Sequence, residues 1–401
     1  MTTRKRVAVF FGGRSPEHDV SIVTGLQVLD AVDSARFDPF PVYVAPDGEW
    51  LVGDALRDQG NYMLKPATRQ RLMSVTMDVA PTGRGVLLPR KTGSIFGAAK
   101  PVSFDIALPA FHGLVGEDGP FQGLMEVAGV PYTGMRTKAS AIFMDKATTK
   151  TVFADGAVPM LPYVAIHRPG QGLLIDSGML QSILKTISFP LCIKPAHLGS
   201  SIGVGKANNI EEARAILSTI FRYDSKAIAE PYVQNLIEYN IAVRQGPDGR
   251  IETSAIERPK TSAELLDFKQ KYLSGPGKGG KKAPGTTSQG MLSLTRAINP
   301  NIPEGMEEDI RTWAEIIFTR LDGTGAPRID FISNRETGEV WFNELNPCPG
   351  SFGFFLWNAA AKPVLFTDLL TDLLDEAGAE LEKLRIDGDP TPADARLFAR
   401  Q

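Results

Sequence analysis

The sequence predicts an α/β protein whose N-terminal part is a doubly wound α/β domain, and two stretches carry that prediction. Val7–Phe11 is a short apolar run that meets Gly12-Gly13, then a helical pattern over Val20–Val32, then a second apolar run in "FDPFPVYVAPDGEW". Strand, glycine turn, helix and strand in that order build a doubly wound unit. "RIDFISNRETGEVWFNELNPCPG", Arg328–Gly350, alternates, turns through Asn334–Gly338 and alternates back, which is the pattern of a β-hairpin.

The elements between these follow in order. Residues 60–104 give a poor pattern in which "GVLLP" reads as one strand. "FDIALPAFHG" is another, followed by the glycine-rich "GLVGEDG" and a helix near Phe121–Ala128. "GVPYTG" closes this unit, so a first domain is expected over 1–134. "KASAIFMDKATTKTVFADGA" reads as one long helix ended by Gly156. "FPLCIKP" and "SIGVGKA" are strands joined by "AHLGSS", and "NIEEARAILSTIFRY" is a helix with Asn209 as its N-cap. "KAIAEPYV" is a strand broken by Pro231, a place for the chain to cross between subdomains over 135–230 and 231–401. "EYNIAVRQ" and "GRIETSAIER" form a hairpin around "GPDG". The stretch 274–290 is rich in glycine and lysine, as a lid or an insertion would be. "EGMEEDIRTWAEIIFTRL" is an amphipathic helix that leads to the Arg328–Gly350 hairpin, and two helical stretches and a polar tail follow.

Composition removes several classes. A net charge of −3 leaves no basic footprint for nucleic acid. Two cysteines, Cys192 and Cys348, make neither a disulfide framework nor a metal-ligand spacing, and they fit a reducing compartment. No apolar run approaches the length of a membrane span, and "VAVFF" is too short for a signal peptide, so a cytoplasmic enzyme is expected.

The hairpin raises a chemical question. A turn centred near Thr337 places Asp330 opposite Glu344 and Arg328 opposite Asn346, all on one face, with Ile329, Phe331 and Leu345 on the other. Opposed like charges destabilise a sheet, and a cation between them reverses the sign. Magnesium is held by one or two carboxylates plus substrate phosphates, so Asp330, Glu344 and Asn346 form a candidate set, with Arg328 a candidate oxyanion donor. The alternative is a register shifted by one, with solvated acids.

Other stretches are weaker alone. In "IKPAHLGSSIGVGK", Lys194 ends a strand before a loop that is either a phosphate flap or an ordinary glycine loop. Gly12-Gly13 lacks the dinucleotide spacing, and Glu17 either faces a ligand or favours the helix dipole. His112, Glu117 and Asp118 lie in a glycine-rich loop. Lys271 and Tyr272 either clamp a substrate at the lid hinge or are solvated.

Taken in order, these stretches resemble the D-alanine–D-alanine ligases of the ATP-grasp superfamily, from Val7 to about Leu356. The resemblance rests on "GGRSPEHDVS", "HGLVGEDGPFQG", "GVPYTG", "ASAIFMDKATTK", "IKPAHLGSSIGVGK", "KYLS", "RIDF" and "NELNPCPG". It implies an ATP-grasp fold behind the N-terminal domain, with ATP and two Mg2+ ions (or Mn2+) as cofactors, and a homodimer acting on amino acids. Lys146, Lys194 and Lys271 are implied on the phosphates, Ser201 in the flap, Glu230 and Val233 at adenine, and Glu238 at the ribose. Glu17, Ser200 and Tyr272 are implied around the first amino acid, which His112 also faces. Asp330, Glu344 and Asn346 are implied as metal ligands, and Arg328 with the Gly350 amide as oxyanion donors. The implied reaction is ligation of two D-alanines through an acyl phosphate. One position departs: where the family has a serine before a leucine to hold the second substrate's carboxylate, this chain has Phe355 before Leu356. Phenylalanine has no donor, so Lys278, Lys281 or Lys282 of the lid is a candidate replacement. A ligase with a different acceptor, or a nucleotide-binding relative without catalysis, are the alternatives.

Overall fold

The structure is a computed structural model that describes residues 4–62, 66–80, 83–90, 99–259, 296–383 and 395. Lys271, Tyr272 and the lysines of the 274–290 stretch lie outside the described residues.

The first sheet has seven strands in the order β6-β5-β4-β3-β2-β1-β7. β1 (Lys5–Gly12) pairs parallel with β2 (Phe37–Val44) on one side and β7 (Ile106–Pro109) on the other. Val7–Phe11 is fully buried because α1 (His18–Ala31) covers one face of the sheet and α3 (Pro120–Val127) the other. That two-sided burial is why the run is continuously apolar. The doubly wound pattern stops there. β3 (Trp50–Val52), β4 (Met73–Asp78), β5 (Gly85–Pro89) and β6 (Val102–Phe104) extend the sheet antiparallel, and the one-turn α2 (Pro66–Arg69) lies between β3 and β4. "GVLLP" is β5, as expected, and β4 escaped the pattern because its residues are mostly half-exposed.

The expected long helix from Lys138 to Gly156 is two helices, α4 (Thr137–Phe143) and α5 (Lys146–Val152). Asp145 makes the break: its Oδ1 accepts from the amides of Ala147 and Thr148 and caps α5. An aspartate inside a helical pattern competes in this way for backbone donors. The second sheet is antiparallel, in the order β10-β9-β11-β8, built from β8 (Val164–His167), β9 (Leu191–Pro195), β10 (Gly205–Ala207) and β11 (Lys226–Pro231). α6 (Ser177–Ile183) and α7 (Ile210–Ile220) pack on it through Leu180 and Leu217. Asn209 caps α7 by accepting from the Glu212 amide, an interaction of about 1 kcal/mol.

After Pro231 the chain crosses to a third, antiparallel sheet, ordered β14-β13-β12-β15-β16. Its strands are β12 (Leu236–Gln245), β13 (Ile251–Pro259), β14 (Arg296–Ile298), β15 (Arg328–Asn334) and β16 (Val340–Asn346). One face carries Tyr239, Ile241, Val243, Ile329 and Phe331, packed against Ile310, Ala314 and Ile317 of α8 (Glu304–Arg320) and against Phe143 and Phe153. The other face is polar and lines the site. α9 (Phe354–Asn358) follows a tight turn at Gly350–Gly353, and α10 (Phe366–Lys383) returns to the first domain, where Leu369, Leu370, Leu373 and Leu374 join the core of α1 and β1.

Candidate active site

The hairpin has the register that alternation demands at its open end. Arg328 pairs with Asn346 and Asp330 with Glu344, while Ile329 and Leu345 turn into the core. One residue further the register slips, and Phe331 pairs with Phe342. The expectation of simple alternation through β16 is thereby corrected. Asn343 is the extra residue of a bulge, which lets Phe342 and Leu345, three apart, both reach the core. Its Oδ1 accepts from Lys194 Nζ at 2.7 Å, so the bulge aims a side chain as well as fixing the register.

The opposed acids are countered by the chain's own cations. Arg328 Nε and Nη2 donate to the two oxygens of Asp330 at 2.6 and 2.7 Å, and Asn346 Nδ2 donates to Asp330 Oδ2 at 2.9 Å. Lys146 Nζ lies 3.0 Å from Glu344 Oε2 and donates to the Leu198 carbonyl at 2.9 Å. Among the described residues no group of three or more His, Cys, Asp or Glu is placed to hold a metal. Two carboxylates and a carboxamide are nonetheless an oxygen-only set of the size magnesium uses when phosphates complete its shell.

Next to this lies a buried trio. The Glu230 carboxylate is held between Lys150 Nζ and Lys194 Nζ, each at 2.6 Å, and all three residues are buried. Burial works against the Glu230 charge, but the two lysines hold its pKa below the usual carboxylate range. Burial also opposes the Lys194 charge, yet Glu230 overrides it and raises the lysine. Burial pulls the Lys150 pKa down against the pull of Glu230, and one acid between two lysines leaves an excess of positive charge beside the hairpin, which suits phosphates.

The loop after β9 reaches across to the N-terminal domain. Ser200 and Ser201 take positive φ of 53° and 57°, and Ser200 Oγ donates a short hydrogen bond to Glu17 Oε1. Glu17 ends the loop after β1 and begins α1. The backbones of Gly113 and Gly199 close around it: a Cβ at Gly113 would stand 2.2 Å from Ser15 Oγ and 2.7 Å from Glu17 Oε2, and its φ is +77°. Gly113→Ala is therefore expected to displace Glu17 and, if Glu17 holds a substrate, to raise that substrate's KM by roughly 100-fold, a 1 Å misplacement costing about that much. Initial-rate kinetics would check this, and an unchanged KM would count against a substrate role for Glu17.

His197 stands at the base of this loop. Its Nε2 is 3.5 Å from Asp145 Oδ2 and its Nδ1 2.7 Å from Asp224 Oδ1. Hydrogen bonds to Asp145 and Asp224 outweigh burial and raise its pKa from the ordinary 6.5 to about 9. A raised value stabilises the folded protein fully below pH 6.5, and that contribution is lost as pH climbs through 9. The melting temperature of the wild type is expected to fall more between pH 6.5 and 9 than that of His197→Gln. Parallel melting curves in this window would show that His197 makes no such contribution.

His112 is neutral, because burial lowers its pKa to about 4. Its Nδ1 lies 2.8 Å from the Cys348 carbonyl, which only accepts, so the proton is on Nδ1. Nε2 then accepts from the Thr24 hydroxyl at 2.8 Å, and Thr24 Oγ1 accepts from the Ser351 amide at 3.1 Å. Glu117 adds a second clamp, accepting from the Gly113 amide at 2.6 Å and from the Cys348 amide at 2.8 Å. Burial, then the nearby Glu17, push its pKa up to about 8. These contacts hold the Pro347–Phe352 turn, in which Ser351 and Phe352 both take positive φ, against the N-terminal domain. Gly350 lies within it and begins the tighter turn Gly350–Gly353.

The remaining expected residues fall as follows. Glu238 is on β12, on the same face as Asn240, and Val233 lies half-buried just beyond β11. Leu356 is wholly buried in the first core, and Phe355 packs at its edge. Sequence reading passed over Lys150, Thr24 and Asn343. The one available signal for Lys150 was its place four residues after Lys146, one turn along the same helix.

This arrangement defines a class. The fold is that of the ATP-grasp ligases: the structure aligns at a TM-score of 0.71 and 22% identity with the D-alanine–D-alanine ligase from Coxiella burnetii, over 95% of this chain and 97% of that one. It aligns at 0.72 and 23% with the VanG D-Ala:D-Ser ligase from Enterococcus faecalis, over 94% and 100%. The D-ala D-ala ligase N-terminus family profile matches residues 6–135 and the D-ala D-ala ligase C-terminus profile residues 152–375. A D-alanine–D-alanine ligase of Acetivibrio thermocellus is 32% identical over 391 residues, 94% of this chain and 96% of the relative, and one of Thermosipho africanus is 30% identical over 88% of each. The chain belongs to the D-alanine–D-alanine ligase family, and it is a ligase that uses ATP. No helix among the described residues is long and apolar enough to cross a membrane.

Proposed function

We propose that the chain forms D-alanyl-D-alanine for peptidoglycan in the cytoplasm, as a homodimer, by two displacements on one site. The observation that carries this is the meeting of three pieces: the Asp330–Glu344 hairpin with Arg328, the Glu230 trio with Lys194, and Glu17 joined to Ser200. Lys146, Lys194, Ser201 and, just before the lid, Lys271 bind the phosphates; Glu230 and Val233 flank the adenine and Glu238 takes the ribose. Glu17 receives the ammonium of the first D-alanine, with Ser200, Tyr272 and His112 completing its surroundings. Asp330, Glu344 and Asn346 would hold Mg2+, which supplies charge neutralisation to the transferring phosphoryl group when bound.

A carboxylate oxygen of the first D-alanine bonds to the γ-phosphorus of ATP, the bond to ADP breaks, and an acyl phosphate forms. The amine of the second D-alanine then bonds to the acyl carbon. Arg328 and the Gly350 amide stabilise the oxyanion, the bond to phosphate breaks, inorganic phosphate leaves and the amine proton passes to solvent. The lid protects the acyl phosphate from water.

The test is phosphate release from ATP with magnesium and D-alanine as the only amino acid, with the product mass determined. The mass of D-alanyl-D-alanine is the expected result. Phosphate without dipeptide would favour a different acceptor, which Phe355 gives reason to consider, and no release would favour a non-catalytic binder.

A further inference from the structure

The polar face of the third sheet continues past the hairpin. Glu344 lies opposite Asp330, Asp330 opposite Asn240, and Asn240 opposite Glu257, a row across four strands. Asn240 Nδ2 donates to Glu257 Oε1 at 2.9 Å, and Arg296 Nη1 donates to Glu257 Oε2 at 2.9 Å. Glu257 is 1% exposed, whereas the Arg296 side chain is 20% exposed. A buried carboxylate thus anchors one nitrogen of a guanidinium that remains partly exposed. The Phe355 ring lies against that guanidinium, 4.8 Å from Cζ to the ring centroid, and fixes its plane. Phe355 belongs to the same turn-and-helix segment that Gly350 begins.

An amino-acid acceptor brings a carboxylate next to its attacking amine, and that charge needs a cation near Gly350. Arg328 already has Nε and Nη2 on Asp330. Phe355 offers no donor. β13, which carries Glu257, lies two strand spacings, about 10 Å, from β15, so an arginine held at Glu257 stands apart from the Asp330–Glu344 pair and, through Phe355, beside the segment that Gly350 begins.

We propose that Arg296 binds the carboxylate of the acceptor amino acid, with Glu257 and the Phe355 ring orienting its fork. This rests on the ligase reading above. Among the described residues only Nη1 of Arg296 donates a hydrogen bond, and a planar guanidinium matches a carboxylate in a way an ammonium does not, so Arg296→Lys is expected to restore only part of the function.

The experiment compares wild type with Arg296→Met and Arg296→Lys. D-alanine, ATP and hydroxylamine report the first half-reaction as D-alanine hydroxamate, and D-alanine against D-alaninamide reports recognition of the acceptor carboxylate. Arg296→Met is expected to retain hydroxamate formation and to raise the acceptor KM for D-alanine by roughly 10- to 100-fold, the range of a lost charged hydrogen bond. Its use of D-alaninamide should stay at the wild-type level. An unchanged acceptor KM, or an equal loss with D-alanine and D-alaninamide, overturns the assignment while leaving the ligase reading intact. A wild type that forms no hydroxamate overturns both. Since Arg296→Met leaves Glu257 buried without its cation, the double variant Arg296→Met, Glu257→Gln removes both charges and is held to the same outcomes.

Discussion

Exchanging Glu344 for glutamine is expected to lower dipeptide turnover by at least about 1,000-fold, because a metal ligand at phosphoryl transfer contributes several kcal/mol and each 1.36 kcal/mol is tenfold. The fold should survive. Glu344 is only partly buried, and a glutamine oxygen can still accept from Lys146. The side chain also sits opposite Asp330 across the hairpin, so removing its charge relieves a repulsion rather than creating one. ADP formation with magnesium, measured beside a melting curve, separates the two effects. A variant that turns over at the wild-type rate would sink the assignment of Glu344 to a metal. A variant that is inactive and unfolded would mean that the Lys146 contact stabilises the hairpin more than its partial exposure suggests.

Glu230→Ala is expected to be among the most destabilising single changes in the chain, by about 3–5 kcal/mol. It takes away the carboxylate that both lysines touch and leaves, among the described residues, the Leu161 carbonyl and the Tyr163 ring to Lys150 and the Asn343 amide oxygen and the more distant Glu344 charge to Lys194. The net value of the trio is small, because desolvation opposes attraction; what costs energy is breaking it on one side. The double change Glu230→Ala, Lys150→Met should therefore recover much of the loss. Urea midpoints of wild type, single and double variants provide the measurement. A Glu230→Ala midpoint within error of wild type would show that water or a shifted side chain replaces the carboxylate.

How far the sequence reached depended on whether a feature was local. The face shared by Arg328, Asp330, Glu344 and Asn346 was legible, because strand alternation and a recognisable turn set it. The bulge at Asn343 was not, since its cause is the demand of the core for both Phe342 and Leu345. The strand from Val7 and the cap at Asn209 were legible from burial pattern and capping chemistry. The break at Asp145 was hidden by good helix formers on both sides. Lys150 was hidden for a different reason: nothing in its neighbours marks a lysine that folding will bury against Glu230, which is distant in sequence. The motif order pointed to the site as a whole, but only the packed structure shows Arg296 lying over Phe355.

The return of α10 to the first domain has a consequence during synthesis. Val28 and Leu29 of α1 share a core with Leu369, Leu370 and Leu373, and Arg36 forms an ion pair with Asp375 at 2.9 Å. At ribosomal rates the two sides of that core leave the ribosome on the order of half a minute apart. For that interval α1 can pack on β1 but lacks the leucines of α10 that complete its core. The opening domain, although first made, is among the last to be completed, and the nascent chain is most open to aggregation or chaperone capture along the helix that carries Thr24 and Gln27.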